Sequence, residues 1–69
     1  MYDYEILIYW SEDDDCFLAE VPKLAGCMAD GKIRIEALQN AEIIIGEWIE
    51  TAKLINKPIP VAKGKLHYA

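Results

Sequence analysis

Four consecutive carboxylates, Glu12-Asp13-Asp14-Asp15, are the densest chemistry in this 69-residue chain. Clustered carboxylates are what a two-metal nuclease uses to hold its ions. Consecutive acids in a turn do not make that cluster, because such a run splays its side chains into water and is solvated. A calcium loop needs an Asp-x-Asp-x-Asp-Gly spacing with a distant Glu, which the chain lacks. Ser11, Cys16 and Cys27 are potential nucleophiles, but no His stands near them in sequence to activate one. A zinc site needs about four ligands, and two Cys with the lone His67 do not supply them. The expectation is no catalytic residue, no metal and no cofactor. The two Cys read as reduced, partly buried thiols, and His67 as a surface or strand residue near a fraying end.

The acidic turn has a better use at an interface. Tyr9 and Trp10 precede Glu12, Asp13, Asp14 and Asp15, so aromatic anchors stand beside negative charge. Aromatic side chains dominate interface energetics. Core packing is the competing reading for Trp10, and a lone exposed ring on an open sheet face the one for Tyr9.

The elements that position these residues follow from periodicity. Tyr4 to Trp10 alternates, with Tyr4, Ile6, Ile8 and Trp10 on one face as the natural core side. Glu5, Leu7 and Tyr9 share the other face. Cys16 to Val21 is a second strand, with Phe17, Ala19 and Val21 inward, and the two strands form a hairpin across the acidic turn. Leu7, Tyr9 and Leu18 leave an apolar patch on the open face. Pro22 stops the second strand, and Cys27 to Asp30 is a third, ended by Gly31. A helix is expected from about Arg34 to Ile55, buried along Ala37, Leu38, Ala41, Ile44, Ile45, Trp48, Ile49, Ala52 and Ile55. Asn56 suits a left-handed cap, and Lys53 and Lys57 suit the helix C-terminus. Pro58 and Pro60 forbid helix and leave an extended or edge strand at Ile59 to Ala62. Gly64 turns the chain, and Leu66 to Tyr68 adds a last short strand.

Length allows one domain, 1–69. A chain this small buries only about 60% of its unfolded surface and is marginal alone, so a partner subunit is the expected support. Ile43 and Leu54 lie off the buried stripe, beside Glu36, Glu47 and Glu50 on the far side of the helix. Ile43, Glu47 and Leu54 are thus the candidate oligomer face, in a dimer or tetramer. Gly46 in mid-helix and Ile33 at an uncapped start each cost about 1 kcal/mol. A membrane span needs about 20 apolar residues and a secretory signal about 7–15. No run of either kind is present, so a soluble cytoplasmic protein is expected.

Charge is divided along the chain. Residues 1–50 hold all twelve acids against Lys23, Lys32 and Arg34, a net of −9. Residues 51–69 hold four lysines and no acid, a net of +4, giving −5 overall. An acidic body argues against nucleic-acid binding, whose affinity is dominated by cationic contacts to phosphates. It suits a basic protein partner, and it also serves plain solubility.

The ordered set Tyr4-Glu5-Ile6-Leu7-Ile8-Tyr9-Trp10, Ala19-Glu20-Val21-Pro22, Leu24, Gly26-Cys27, Ala29-Asp30-Gly31 and Glu36-Ala37-Leu38-Gln39-Asn40 resembles the HicB-like antitoxin family. Glu47-Trp48-Ile49-Glu50-Thr51-Ala52, Lys57-Pro58-Ile59-Pro60 and the ending Lys63 to Ala69 continue it. The resemblance implies an α+β domain of order β-β-β-α-β: an antiparallel three-stranded sheet packed on one helix, with a further short C-terminal strand, a partial ribonuclease H-like fold. It places the Ile59 strand beside the first. It implies the antitoxin of a type II toxin–antitoxin system, masking a small basic HicA-like ribonuclease toxin. Many members add a C-terminal DNA-binding domain. This chain stops at Ala69 without one, so no direct DNA binding is expected. Ala25 stands where the family usually has Pro, Ile33 near its usual Thr or Ser cap, and Ile35 near a usual acid. Lower stability with the same fold is expected from these. The alternative reading is an orphan oligomeric binding or scaffold domain with no toxin partner.

Overall fold

A computed structural model describes residues 3–61. Strand β1 (Leu7–Ser11), strand β2 (Cys16–Glu20) and strand β3 (Met28–Gly31) are followed by helix α1 (Arg34–Leu54). The strands form one antiparallel sheet in the order β1-β2-β3. The fold is α+β, as the periodicity and the resemblance both indicate.

The β1–β2 register pairs Leu7 with Glu20, Ile8 with Ala19, Tyr9 with Leu18, Trp10 with Phe17 and Ser11 with Cys16. The β2–β3 register pairs Phe17 with Gly31, Leu18 with Asp30, Ala19 with Ala29 and Glu20 with Met28. Strand alternation then sends Ile8, Phe17, Ala19 and Ala29 toward α1. Two packed groups fill the space between the layers. Ala19, Ala37 and Ala41 let the helix approach the sheet closely, flanked by Ile6, Ile8, Phe17 and Ala29. Val21, Leu24, Cys27, Ile45 and Ile49 form the larger group, joined by Tyr4, Ile6, Ile44, Trp48 and Ile59.

The buried line of α1 is narrower than the stripe in the sequence. Ala37, Ala41, Ile45, Ile49 and Ala52 are buried, Ile44 and Trp48 half-buried, and Leu38 and Ile55 exposed. Strands about 4.8 Å apart make a three-stranded sheet no wider than one helix, so only a narrow line is covered. Ile55 lies past the last turn as the C-cap residue. Trp10 also departs from expectation. It shares a face with Ile6 and Ile8, yet it is 46% exposed. Helix α1 lies mainly over β3 and meets β1 least, which leaves the far end of the outer strand uncovered.

The two helix ends are closed differently. Asn56 adopts φ 56°. Its N–H donates to the Lys53 carbonyl at 3.3 Å, and the Lys57 N–H donates to the Ala52 carbonyl at 2.8 Å. That pair of bonds is a Schellman motif, which satisfies carbonyls the last turn would otherwise leave open. At the other end Ile33 is extended and offers no side-chain cap. Glu36 reaches back past it, accepting from the N–H of Lys32, the residue before the N-cap, and so ties down the chain entering the helix. Ile33→Ser supplies the missing side-chain cap. We expect about 1 kcal/mol of added stability, or about 4–8 °C in Tm for a domain this size. A thermal melt reads this directly, and an unchanged Tm would show that water already satisfies the first-turn N–H groups.

Beyond α1 the expected strand at Ile59 to Ala62 is not formed over its described part. Residues 57–61 have no ladder pairing, since Pro58 and Pro60 carry no N–H to donate. The segment is held in another way: Ile59 packs on the core, and the Tyr4 hydroxyl donates to the Pro60 carbonyl. The expected turn at Gly64, the strand at Leu66 to Tyr68, and His67 lie outside the described residues.

Candidate interaction surface

The β1–β2 hairpin closes at the Ser11–Cys16 pair with Glu12 to Asp15 as its turn. Ser11 Oγ donates to Asp14 Oδ2 at 2.9 Å and accepts the Asp14 N–H at 3.2 Å. Asp15 completes the turn at φ 54°, a conformation that Asp tolerates better than most residues. Asp14 therefore braces the turn. All four acids are exposed, as a solvated run should be. Among the described residues no group of three His, Cys, Asp or Glu side chains is placed to hold a metal ion.

The partner-binding candidates do not form one surface. Tyr9 and Trp10 project from opposite faces of β1, with the acidic turn at the hairpin tip between them. On the helix side, Trp10 stands edge-on to Phe17, with ring centroids 5.1 Å apart and planes at 75°. The Arg34 guanidinium lies 4.7 Å from the Phe17 centroid, within cation–π range. This cluster of two rings and one cation covers the end of the sheet just ahead of α1.

Tyr9 belongs to the open face. That face carries Leu7, Tyr9 and Ser11 from β1, Cys16, Leu18 and Glu20 from β2, and Met28 and Asp30 from β3. Leu7 and Met28 are each 45% exposed and Tyr9 is 41%. The Tyr9 hydroxyl donates to Glu20 Oε1 at 3.4 Å. Met28 and Asp30 were not legible as members of this surface in the sequence. Glu20 takes its place by alternation in β2, opposite Leu7, whereas the places of Met28 and Asp30 depend on the register of β3, which a seven-residue loop separates from β2.

Partial desolvation, followed by the charge and hydrogen bond of Glu20 and then the charge of Asp14, raises the Tyr9 phenol above its ordinary pKa. The Cys16 thiol is likewise raised, by desolvation first and then by Asp30, Asp14 and Asp15. Burial raises that of Cys27. Both thiols are thus held protonated, the opposite of what a nucleophile needs. Cys16 should react with a maleimide at pH 8 more slowly than free cysteine does. Added salt should speed it by screening the three aspartates. A rate equal to that of free cysteine and flat in salt would contradict this.

The oligomer-face candidates Ile43, Glu47 and Leu54 are all exposed on the outer side of α1. They share a direction around the helix, but Ile43 and Leu54 are eleven residues apart, about 16 Å along its axis. A shallow depression over Gly46, bordered by Glu42, Ile43, Glu47, Glu50 and Thr51, lies on the same side. No helix among the described residues is long and apolar enough to cross a membrane.

The molecule is thus a small α+β domain with one sheet face covered by a helix and the other open, acidic and partly apolar. Its relatives share its size. It is 34% identical over 64 residues to UPF0150 protein ssl0259 of Synechocystis sp., an alignment spanning 93% of this chain and 86% of that protein. It is 37% identical over 54 residues to UPF0150 protein Ta0767 of Thermoplasma acidophilum, spanning 78% of each. The chain belongs to the UPF0150 family. No family model matches it, and no solved structure does.

Proposed function

We propose that this protein is a non-enzymatic antitoxin subunit that binds and masks a small basic HicA-like ribonuclease toxin in the cytoplasm. The observation that carries the reading is the placing of exposed Tyr9 and Trp10 around a hairpin tip of four exposed acids. The resemblance of the chain to HicB-like antitoxins supports it, as does its net charge of −5. Negative charge at an exposed tip draws a cationic partner into encounter and excludes wrong ones. Masking needs only shape and charge; it asks nothing of the two protonated thiols.

The alternative is an orphan oligomeric binding or scaffold domain. The exposed Ile43 and Leu54 on the outer side of α1 favour it, because a chain this small gains stability by burying such a face in a dimer or tetramer.

Charge reversal at Glu12 and Asp13 tests the electrostatic part. These two acids spare the Ser11–Asp14 brace and the left-handed Asp15. Glu12→Lys with Asp13→Lys should slow association with the toxin roughly tenfold at low salt, with the difference closing as salt is raised. An unchanged association rate at low salt would remove the tip from the interface.

A further inference from the structure

Resting on the masking reading, we infer that the open face of the sheet is the docking surface, and that it takes an apolar, Lys/Arg-flanked surface of the basic partner. A sheet has two faces, and each apolar one must be covered by another layer. Helix α1 covers one. On the other, Leu7, Tyr9 and Leu18 occupy adjacent positions, and Met28 lies diagonally beside Leu18, with Glu20 between it and Leu7. Neighbouring strands are about 4.8 Å apart, so these side chains are contiguous.

Charge decides the occupant. The strand residues on this face include Glu20 and Asp30 and no Lys or Arg. The acidic tip continues the same sign at one end. Desolvation is the first cause of the raised Tyr9 and Cys16 pKa values, and the charges of Glu20, Asp30, Asp14 and Asp15 act in the same direction. A second copy docked face to face would set these acids against their own equivalents, because an isologous contact pairs a patch with itself. Like charges placed opposite each other destabilise such a contact. A cationic partner meets no such penalty. The outer side of α1 is a weaker candidate, since Ile43 and Leu54 stand about 16 Å apart as single exposed residues.

Cys16 provides a reporter, because it lies on this face while Cys27 is buried. The probes are an amphipathic leucine–lysine helical peptide, its leucine–glutamate counterpart, and oligolysine. The leucine–lysine peptide should slow maleimide labelling of Cys16, and do so better than oligolysine. The leucine–glutamate peptide should leave labelling unchanged. Leu7→Ser with Tyr9→Ser should weaken the leucine–lysine peptide roughly tenfold, whereas Ile43→Ser with Leu54→Ser should not. Equal protection by oligolysine, or loss of binding only in the Ile43/Leu54 variant, would overturn the proposal. The two readings fail separately. A toxin that binds and leaves Cys16 open overturns this surface and spares the masking reading. Protection of Cys16 by the peptide, with no toxin partner found, does the reverse.

Discussion

Leu24→Ala should lose about 2–5 kcal/mol, the range for a leucine removed from a packed core. Leu24 lies in the loop between β2 and β3, where an exposed residue would be expected, yet it is among the largest fully buried side chains. It points into the group formed by Val21, Cys27, Ile45 and Ile49. The loop is folded to place it there. The Leu24 N–H donates to the Val21 carbonyl at 3.1 Å, and the Cys27 N–H donates to the Leu24 carbonyl at 3.0 Å. Trp48 Nε1 then donates to the Ala25 carbonyl at 2.9 Å, which ties the loop to α1. Such a framework cannot collapse freely into the space left by an alanine. A chain this small has only about 3–10 kcal/mol of total stability, so a large fraction of the variant should be unfolded at 25 °C. Urea denaturation followed by circular dichroism measures the change. Leu54→Ala, at a residue 85% exposed, should stay within about 0.5 kcal/mol of the parent. A Leu24→Ala variant as stable as Leu54→Ala would contradict the packing described.

Gly31→Ala should cost about 3 kcal/mol, at the upper end of ordinary overpacking. A Cβ at this position would stand 2.4 Å from the Ala37 nitrogen, 2.8 Å from the Glu36 carbonyl carbon and 2.9 Å from the Ala37 Cα. All three are backbone atoms in the first turns of α1, so no side chain can swing aside. The helix must lift from β3, and Ala37 and Ala41 would lose their seat on Ala19. Gly26→Ala provides the comparison. Nothing lies within 4 Å of its Cβ, but its φ of 76° is left-handed, a strain of about 1–2 kcal/mol. The expected order of stability, parent above Gly26→Ala above Gly31→Ala, can be read from one set of urea curves. Equal cost at the two glycines would mean that the close approach of β3 and α1 is not tight.

These two residues also show where the sequence stops being readable. The three strands, the helix and the Asn56 cap are local features, written in alternation, in three–four spacing and in one residue with a tolerance for positive φ. They were legible to within a few residues. Gly31 reads locally as a strand terminator; its contact with Ala37 depends on how the helix crosses the sheet. Leu24 reads as a loop residue because nothing near it in sequence shows that the loop folds inward. Trp10 has the parity of a core residue, and only the position of α1 over β3 leaves it exposed. At the candidate surface, Leu7, Tyr9 and Leu18 follow from alternation in two strands joined by a short turn. Glu20 follows from the same alternation, whereas Met28 and Asp30 join them only through the register of a third strand beyond the Leu24 loop. Arg34 over Phe17 is a contact between helix and sheet that no spacing in the sequence signals.

The central claim is that this domain acts by masking a basic nuclease, and co-expression tests it most directly. The chain would be produced, tagged, together with a small basic HicA-like protein of its own organism, and both growth and co-purification would be followed. The account predicts that the basic protein alone arrests growth, that this chain restores it, and that the two purify as a complex weakened by salt. Continued arrest, with this chain recovered as a homo-oligomer free of the basic protein, would contradict it and favour the orphan binding domain.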